Sequence, residues 1–192
     1  DLGTEVDRTA AALLARGLEK DDRLVVQLPN TVDAVIIFLA AARIGLIISP
    51  VVMQYREHEI RYIIEKIEPA AFVTIPQFGG FDHDSLGHSL TDELADVQLV
   101  ILNGTGESAL DLASADIAAV GHYRENNPVD AAEILTICWT SGTESRPKGV
   151  PRNHCHWVLN ADVIVDAAGM VESDVLLNPF PLVNIGSIGG LV

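Results

Sequence analysis

Cationic side chains are scarce in this sequence. Its 192 residues hold 12 Lys and Arg against 27 Asp and Glu, a formal net charge of −15. Binding a nucleic-acid backbone or an anionic membrane surface requires clustered Lys and Arg, so neither is expected as a partner. Cysteine is scarcer still. Cys138 and Cys155 are the only two, too few for a disulfide framework, and they read as the reduced thiols of a cytoplasmic protein. Long uninterrupted apolar runs are missing as well. The longest candidate, Ala34 to Met53, contains Arg43, Gly45 and Pro50, so it reads as a helix, a turn and a strand, and no membrane span is expected. The start, Asp1-Leu2-Gly3-Thr4, has no basic stretch before an apolar one and does not resemble a signal peptide.

What the chain does have is aliphatic bulk. Hydrophobic residues make up 48% and the mean hydropathy is +0.28, which excludes a wholly disordered chain and is enough to enclose a core. A strongly acidic chain is seldom net hydrophobic. This one also begins without Met and stops inside the apolar, glycine-rich run from Ile185 to Val192. The expectation is a piece of something larger, essentially one α/β subdomain over residues 1–192.

Periodicity supplies the elements. Val6, Ala10, Leu13 and Leu14 have helical spacing within Thr4 to Arg16, and Gly17 follows as a C-terminal stop. Arg23 to Leu28 reads as a strand. Asn30 is the expected N-cap of a largely buried helix that runs to about Arg43 and ends at Gly45. Ile47 to Val52 reads as a strand, and Glu57 to Lys66 as an amphipathic helix. Ala71 to Ile75 is a further strand, Gly79-Gly80 a break, Asp84 to Leu94 a helix and Gln98 to Leu102 a strand. Residues 103–124 are loop-like with one helix expected near Leu110 to Val120. Glu133 to Trp139 reads as a strand, Asn153 to Ala168 as a helix and Val175 to Leu177 as a short strand. Strands alternating with helices imply a mostly parallel, layered α/β sheet with helices on both faces.

Chemistry concentrates in residues 140–149, directly after the strand ending at Trp139. The run is Thr140-Ser141-Gly142-Thr143-Glu144-Ser145-Arg146-Pro147-Lys148-Gly149. Its hydroxyls can donate to phosphate oxygens, its glycine lets backbone N–H groups approach a ligand, and Lys148 adds a positive charge. A loop leaving the carboxyl end of a sheet strand is where α/β proteins place ligands. Together these describe a phosphate cradle. It is not a Walker A loop, because Pro147 precedes Lys148 and Gly149 follows it. No G-x-G-x-x-G follows a strand, and no G-x-S-x-G is present.

Other polar groups carry less. His154, Cys155 and His156 include metal-ligand types, but residues two apart on a helix face different ways, and no carboxylate or second cysteine lies at ligand spacing. No metal site is expected. His83 and His88, among Phe81, Asp82 and Asp84, read as lining a surface loop, and His58 as a solvated helix residue. Cys138 reads as packing, and Trp139 and Trp157 as core candidates. The acidic set Asp92, Glu93, Asp96, Asp111 and Asp116 reads as a solvated face.

The stretch T-S-G-T-x-x-x-P-K-G resembles the phosphate-binding signature of the AMP-forming acyl-adenylate enzymes: acyl- and aryl-CoA synthetases, peptide-synthetase adenylation domains and luciferases. Glu144 and Ser145 stand where the usual form has Thr or Ser then Gly, and a Thr-Glu pair there resembles the CoA ligases for small cyclic and aromatic acids. Asp22 to Asn30 is similar to the family's early G-D-R-V-x-x-x-x-x-N segment, and Phe38 to Gly45 to its F-x-A-x-x-x-x-G helix. His154 falls where the family has a Ser/Thr-His pair. Pro181 to Gly186 is similar to its P-L-F-H-x-x-G segment, with Asn184 in place of His.

The resemblance implies part of the large N-terminal domain of an ATP-dependent ligase. In such an enzyme a carboxylate attacks the α-phosphate of ATP, pyrophosphate leaves, and CoA displaces AMP from the acyl-adenylate. It further implies that Thr140, Ser141, Gly142, Thr143 and Lys148 contact the β- and γ-phosphates, with Glu144 in the same nucleotide-binding stretch and Mg²⁺ sharing the charge. Lys148 would stabilise the phosphates catalytically, and Asn184 and Gly186 would border the acyl site. The family's adenine-binding Tyr-Gly-x-Thr-Glu segment, ribose-binding Asp and C-terminal domain with its adenylation lysine have no counterpart among these residues. The 192-residue chain alone is therefore expected to be inactive. A peptide-synthetase adenylation domain and a non-catalytic nucleotide-binding scaffold are the alternative readings.

Overall fold

Four-residue runs of aliphatic residues build the sheet. In the computed structural model, which describes residues 1–94, 96–140 and 147–190 and leaves out the side chain of Ile185, β1 is Arg23–Val26, β2 Ile47–Pro50, β3 Ala71–Thr74 and β6 Gln98–Ile101. Each is flanked by turn residues and is buried on both faces over most of its length, as parallel strands covered by helices must be. With β7 (Ile134–Thr140) and β8 (Lys148–Asn153) they form one sheet in the order β6-β3-β1-β2-β7-β8. The first five strands are parallel and β8 runs antiparallel to β7. A separate two-stranded hairpin joins β4 (Gln77–Phe78) to β5 (Phe81–Asp82). Gly79 and Gly80 at its tip both have positive φ, 58° and 79°, the conformation a two-residue hairpin turn requires.

The helices are α1 (Leu2–Ala15), α2 (Val32–Ile44), α3 (Glu57–Ile67), α4 (His83–Glu93), α5 (Ile117–Asn126), α6 (His154–Ala168) and the single turn α7 (Ile185–Ile188). Strand alternation divides the core in two. Leu24, Val26, Ala71, Val73 and Val100 point to the side of α1, α2 and α5. Val25, Phe72, Leu99 and Ile101 point to the side of α3 and α4. This division follows from the crossovers. The steps β1 to β2 and β6 to β7 advance across the sheet in one direction through α2 and α5, and the steps β2 to β3 and β3 to β6 return through α3 and α4. Crossovers of one hand place the two sets on opposite faces. Each fully buried Leu, Ile or Phe contributes about 1.5–3 kcal/mol relative to exposure.

Several expectations are corrected. Thr31, not Asn30, is the N-cap of α2, and its side chain makes no capping bond. Asn30 is drawn away by the chain 150 residues on: its Nδ2 donates to Phe180 O at 2.8 Å and its Oδ1 accepts from Leu182 N at 2.9 Å. The helix expected near Leu110 to Val120 is α5, shifted toward the C-terminus because Asp116 caps it through Ala118 N. Val175 to Leu177 is not a strand, since no strand among the described residues pairs with it. Residues 148–153, unassigned as a strand in the sequence, pair with β7 as β8. His83 lies not on a surface loop but at the first position of α4, 1% exposed. Among the described residues no helix is long and apolar enough to cross a membrane.

Candidate functional site

The site lies at the carboxyl end of β7, and residues that precede it in the chain hold both of its stems in place. On the entering stem, Trp139 Nε1 donates to Ser49 Oγ of β2 at 2.7 Å. On the leaving stem, Tyr62 of α3 donates its hydroxyl to Pro147 O at 3.3 Å. The Tyr62 and Trp139 rings meet edge to face, with centroids 6.4 Å apart. Thr140 and Lys148 then stand directly opposite each other as the last paired residues of the β7–β8 hairpin. Thr140 Oγ1 reaches Lys148 O at 3.5 Å, a long contact that leaves the hydroxyl available to a ligand. Both side chains are exposed. Gly149 is required by packing: a Cβ there would lie 2.9 Å from Ile137 Cγ2 and 3.3 Å from the Trp139 ring.

Ser141, Gly142, Thr143 and Glu144, expected to complete the cradle, lie outside the described residues. Of the remaining expected residues, the structure brings together three from two separate parts of the chain. Thr140, Asn184 and Gly186 line one cleft of about 320 Å³ with Cys138, Trp139, Val150 and Arg152. Asn184 Oδ1 accepts from Ser187 N at 3.1 Å, which fixes the start of α7. Lys148 does not itself line the cleft but is the cross-strand neighbour of Thr140. Sequence reasoning missed Ser49, Tyr62 and Arg152. A signal for Arg152 existed, because Lys148, Val150 and Arg152 alternate onto one face of a strand, but that strand had not been identified.

Two titratable groups nearby, Cys138 and His154, are shifted toward their neutral forms. Burial pushes the Cys138 thiol upward, outweighing its hydrogen bond to Thr136 and the charge of Arg152. A protonated, buried thiol is a packing group and not a nucleophile. Burial likewise pushes His154 downward against the pull of Glu133. Trp157, 1% exposed, donates Nε1 to Thr136 Oγ1 at 3.0 Å and anchors α6 to β7. Among the described residues no three His, Cys, Asp or Glu side chains gather to hold a metal ion. A hydroxyl, an ammonium and an open cleft at a strand's carboxyl end suit phosphate oxygens, and a divalent ion arriving with polyphosphate would be carried by those oxygens.

The family model for AMP-binding enzymes matches residues 1–192. A salicylyl-CoA synthase / salicylate adenylyltransferase of a Streptomyces species is 29% identical, with the match covering 97% of this chain and 36% of that protein. The 2,3-dihydroxybenzoate-AMP ligase of Bacillus subtilis is 27% identical over 95% of this chain and 33% of its own length. Among solved structures, ATP-bound MatB from Rhodopseudomonas palustris superposes with a TM-score of 0.79 at 27% identity, covering 100% of this chain and 37% of that one. The chain thus spans about a third of the length of the curated relatives it matches.

Proposed function

The chain belongs to the AMP-binding enzyme family, and from that premise we propose that it forms the phosphate-holding part of an ATP-dependent acid–thiol ligase. The full-length protein activates a carboxylic acid as its acyl-adenylate, releases pyrophosphate and passes the acyl group to CoA. The observation that carries this reading is the cleft in which Thr140 meets Asn184 and Gly186 beside Lys148. The phosphate end and the acid end of one reaction are adjacent there. Attack on the α-phosphate gathers negative charge on the transferring and leaving phosphates, so donors and cations fixed beforehand lower the barrier. Thr140 supplies a hydroxyl and Lys148 a cation, and the brace from Ser49, Trp139 and Tyr62 fixes both stems before substrate arrives. Ser141, Gly142, Thr143 and Glu144 complete the nucleotide contacts in this reading, and Mg²⁺ would accompany ATP. Asn184 and Gly186 border the acid. The reading places the protein in the cytoplasm, where ATP and CoA are at hand and Cys138 and Cys155 stay reduced.

The test is ATP–pyrophosphate exchange by the full-length protein across a panel of carboxylic acids. Lys148→Ala is expected to lower exchange by about a hundredfold or more, the scale on which fixed electrostatic groups act. The 192-residue chain alone is expected to release no pyrophosphate. Full activity in Lys148→Ala, or turnover by the isolated chain, would refute the assignment.

A further inference from the structure

Among the described residues, Arg152 is the one cation that is not exposed and yet has no acceptor. Arg8 pairs with Glu5, Lys20 with Glu133, Arg43 with Asp7, and Arg61 with Glu57 and Glu93. Arg16 and Arg23 donate to backbone carbonyls. Arg152 is also half-buried, yet it makes neither a hydrogen bond nor an ion pair among the described residues, and its Nε is buried without a partner. Its guanidinium lies over the Trp157 ring, 5.9 Å from the centroid. That contact holds the group in place but uses none of its five N–H donors. A guanidinium N–H withdrawn from water with no acceptor is unfavourable, and an anion reaching the group would supply one.

The place of this group is specific. Arg152 lines the same cleft as Thr140, Asn184 and Gly186. It stands opposite Thr136, while Lys148 stands opposite Thr140. Strand alternation puts both cations on one face, four residues and about 13 Å of backbone apart. Phosphate oxygens gather at the Lys148 end, which leaves Arg152 to the far end of the acid. We propose that Arg152 anchors a second acidic group, so that the cleft takes a dicarboxylic acid. One carboxylate is activated beside the phosphates, and the other accepts a bidentate pair of hydrogen bonds from the guanidinium. This substrate class rests on the adenylation reading given above.

The experiment uses the full-length protein and matched acids: glutarate against valerate, and adipate against hexanoate. Wild type is expected to favour the diacid of each pair in exchange kcat/KM. Arg152→Leu is expected to lose about ten- to hundredfold on the diacid, the scale of hydrogen bonds to a charged group, with the monoacid almost unchanged. Arg152→Lys, which keeps the charge but not the fork, is expected to recover part of the loss. Circular dichroism checks that each variant is folded. In parallel, equilibrium dialysis of radiolabelled glutarate is expected to show binding to wild type and none to Arg152→Leu. That arm requires no turnover, so failed exchange with intact binding would count against adenylation and not against the anchor. The anchor is overturned if Arg152→Leu keeps the diacid preference and binding. It is equally overturned if wild type prefers and binds neither diacid while the variant merely melts earlier, since Arg152 would then be paired within the longer protein.

Discussion

At the scale of single residues, Gln27 fixes the protonation state of a buried imidazole. Its Nε2 spends both hydrogens on Val52 O and Tyr55 O, each at 3.0 Å. Its Oε1 therefore has to accept, and it faces His83 Nδ1 at 3.1 Å. The network thus assigns the proton to Nδ1, and Nε2 is left as a buried lone pair with no partner. Adding a proton there would bury an N–H without an acceptor, near the Arg56 guanidinium that stacks on Phe81 against the His83 ring. Burial chiefly, and Arg56 second, push the His83 pKa below 6.5, with Asp82 opposing. The unfolded chain then takes up a proton at a higher pH than the folded one. Stability is complete above about pH 6.5 and falls as the pH drops below it, at up to about 1.4 kcal/mol per pH unit for one group. His83→Asn keeps a donor for Gln27 and removes the titration. Its urea midpoint is expected to change less than that of wild type between about pH 7.5 and about pH 5.5. An equal fall in both would assign the acid sensitivity to His154, which burial shifts in the same direction.

At the scale of elements, the β7–β8 hairpin depends on Gly149 for its closeness to the Trp139 ring. Gly149→Ala would force a Cβ to within 2.9 Å of Ile137 Cγ2. Ile137 is branched and cannot swing aside freely, so overpacking of about 1–3 kcal/mol is expected, read as a lower urea midpoint. A change of under about 0.5 kcal/mol, the usual size at surface positions, would show that the hairpin flexes. The same hairpin shows where the sequence was hard to read. Strands β1, β2, β3 and β6 and helices α2 and α3 announce themselves by apolar runs and periods that agree with their burial. Lys148–Asn153 carries Gly149 and Pro151 and no apolar alternation, so its strand state comes from pairing with β7 and not from its own residues. His83 was misread for a related reason: its neighbours in sequence are polar, but Gln27, 56 residues earlier, supplies its environment. Thr140 and Lys148 were legible as a motif, whereas Arg152 became visible only once its strand was.

At the scale of the whole molecule, two opposing surface properties set the behaviour of the isolated chain. The net charge of −15 makes copies repel one another. Against it stands an apolar surface along α6 and the segment after it, where Val163 is 64% exposed, Val175 96% and Leu177 83%. Only Trp157 of α6 is buried. Exposed apolar area of this kind drives association unless something opposes it. Charge repulsion reaches about 10 Å at 0.1 M salt and about 3 Å at 1 M, whereas hydrophobic contact is not weakened by salt. The 192-residue chain is therefore expected to sediment as a monomer at low ionic strength and to associate as sodium chloride rises toward about 1 M. Val163→Asp with Leu177→Asp is expected to hold it monomeric throughout, because the added charges sit on the associating surface itself. If the double variant associates as wild type does, the contact lies elsewhere. If wild type associates most at low salt, opposite charges and not apolar contact bring the copies together.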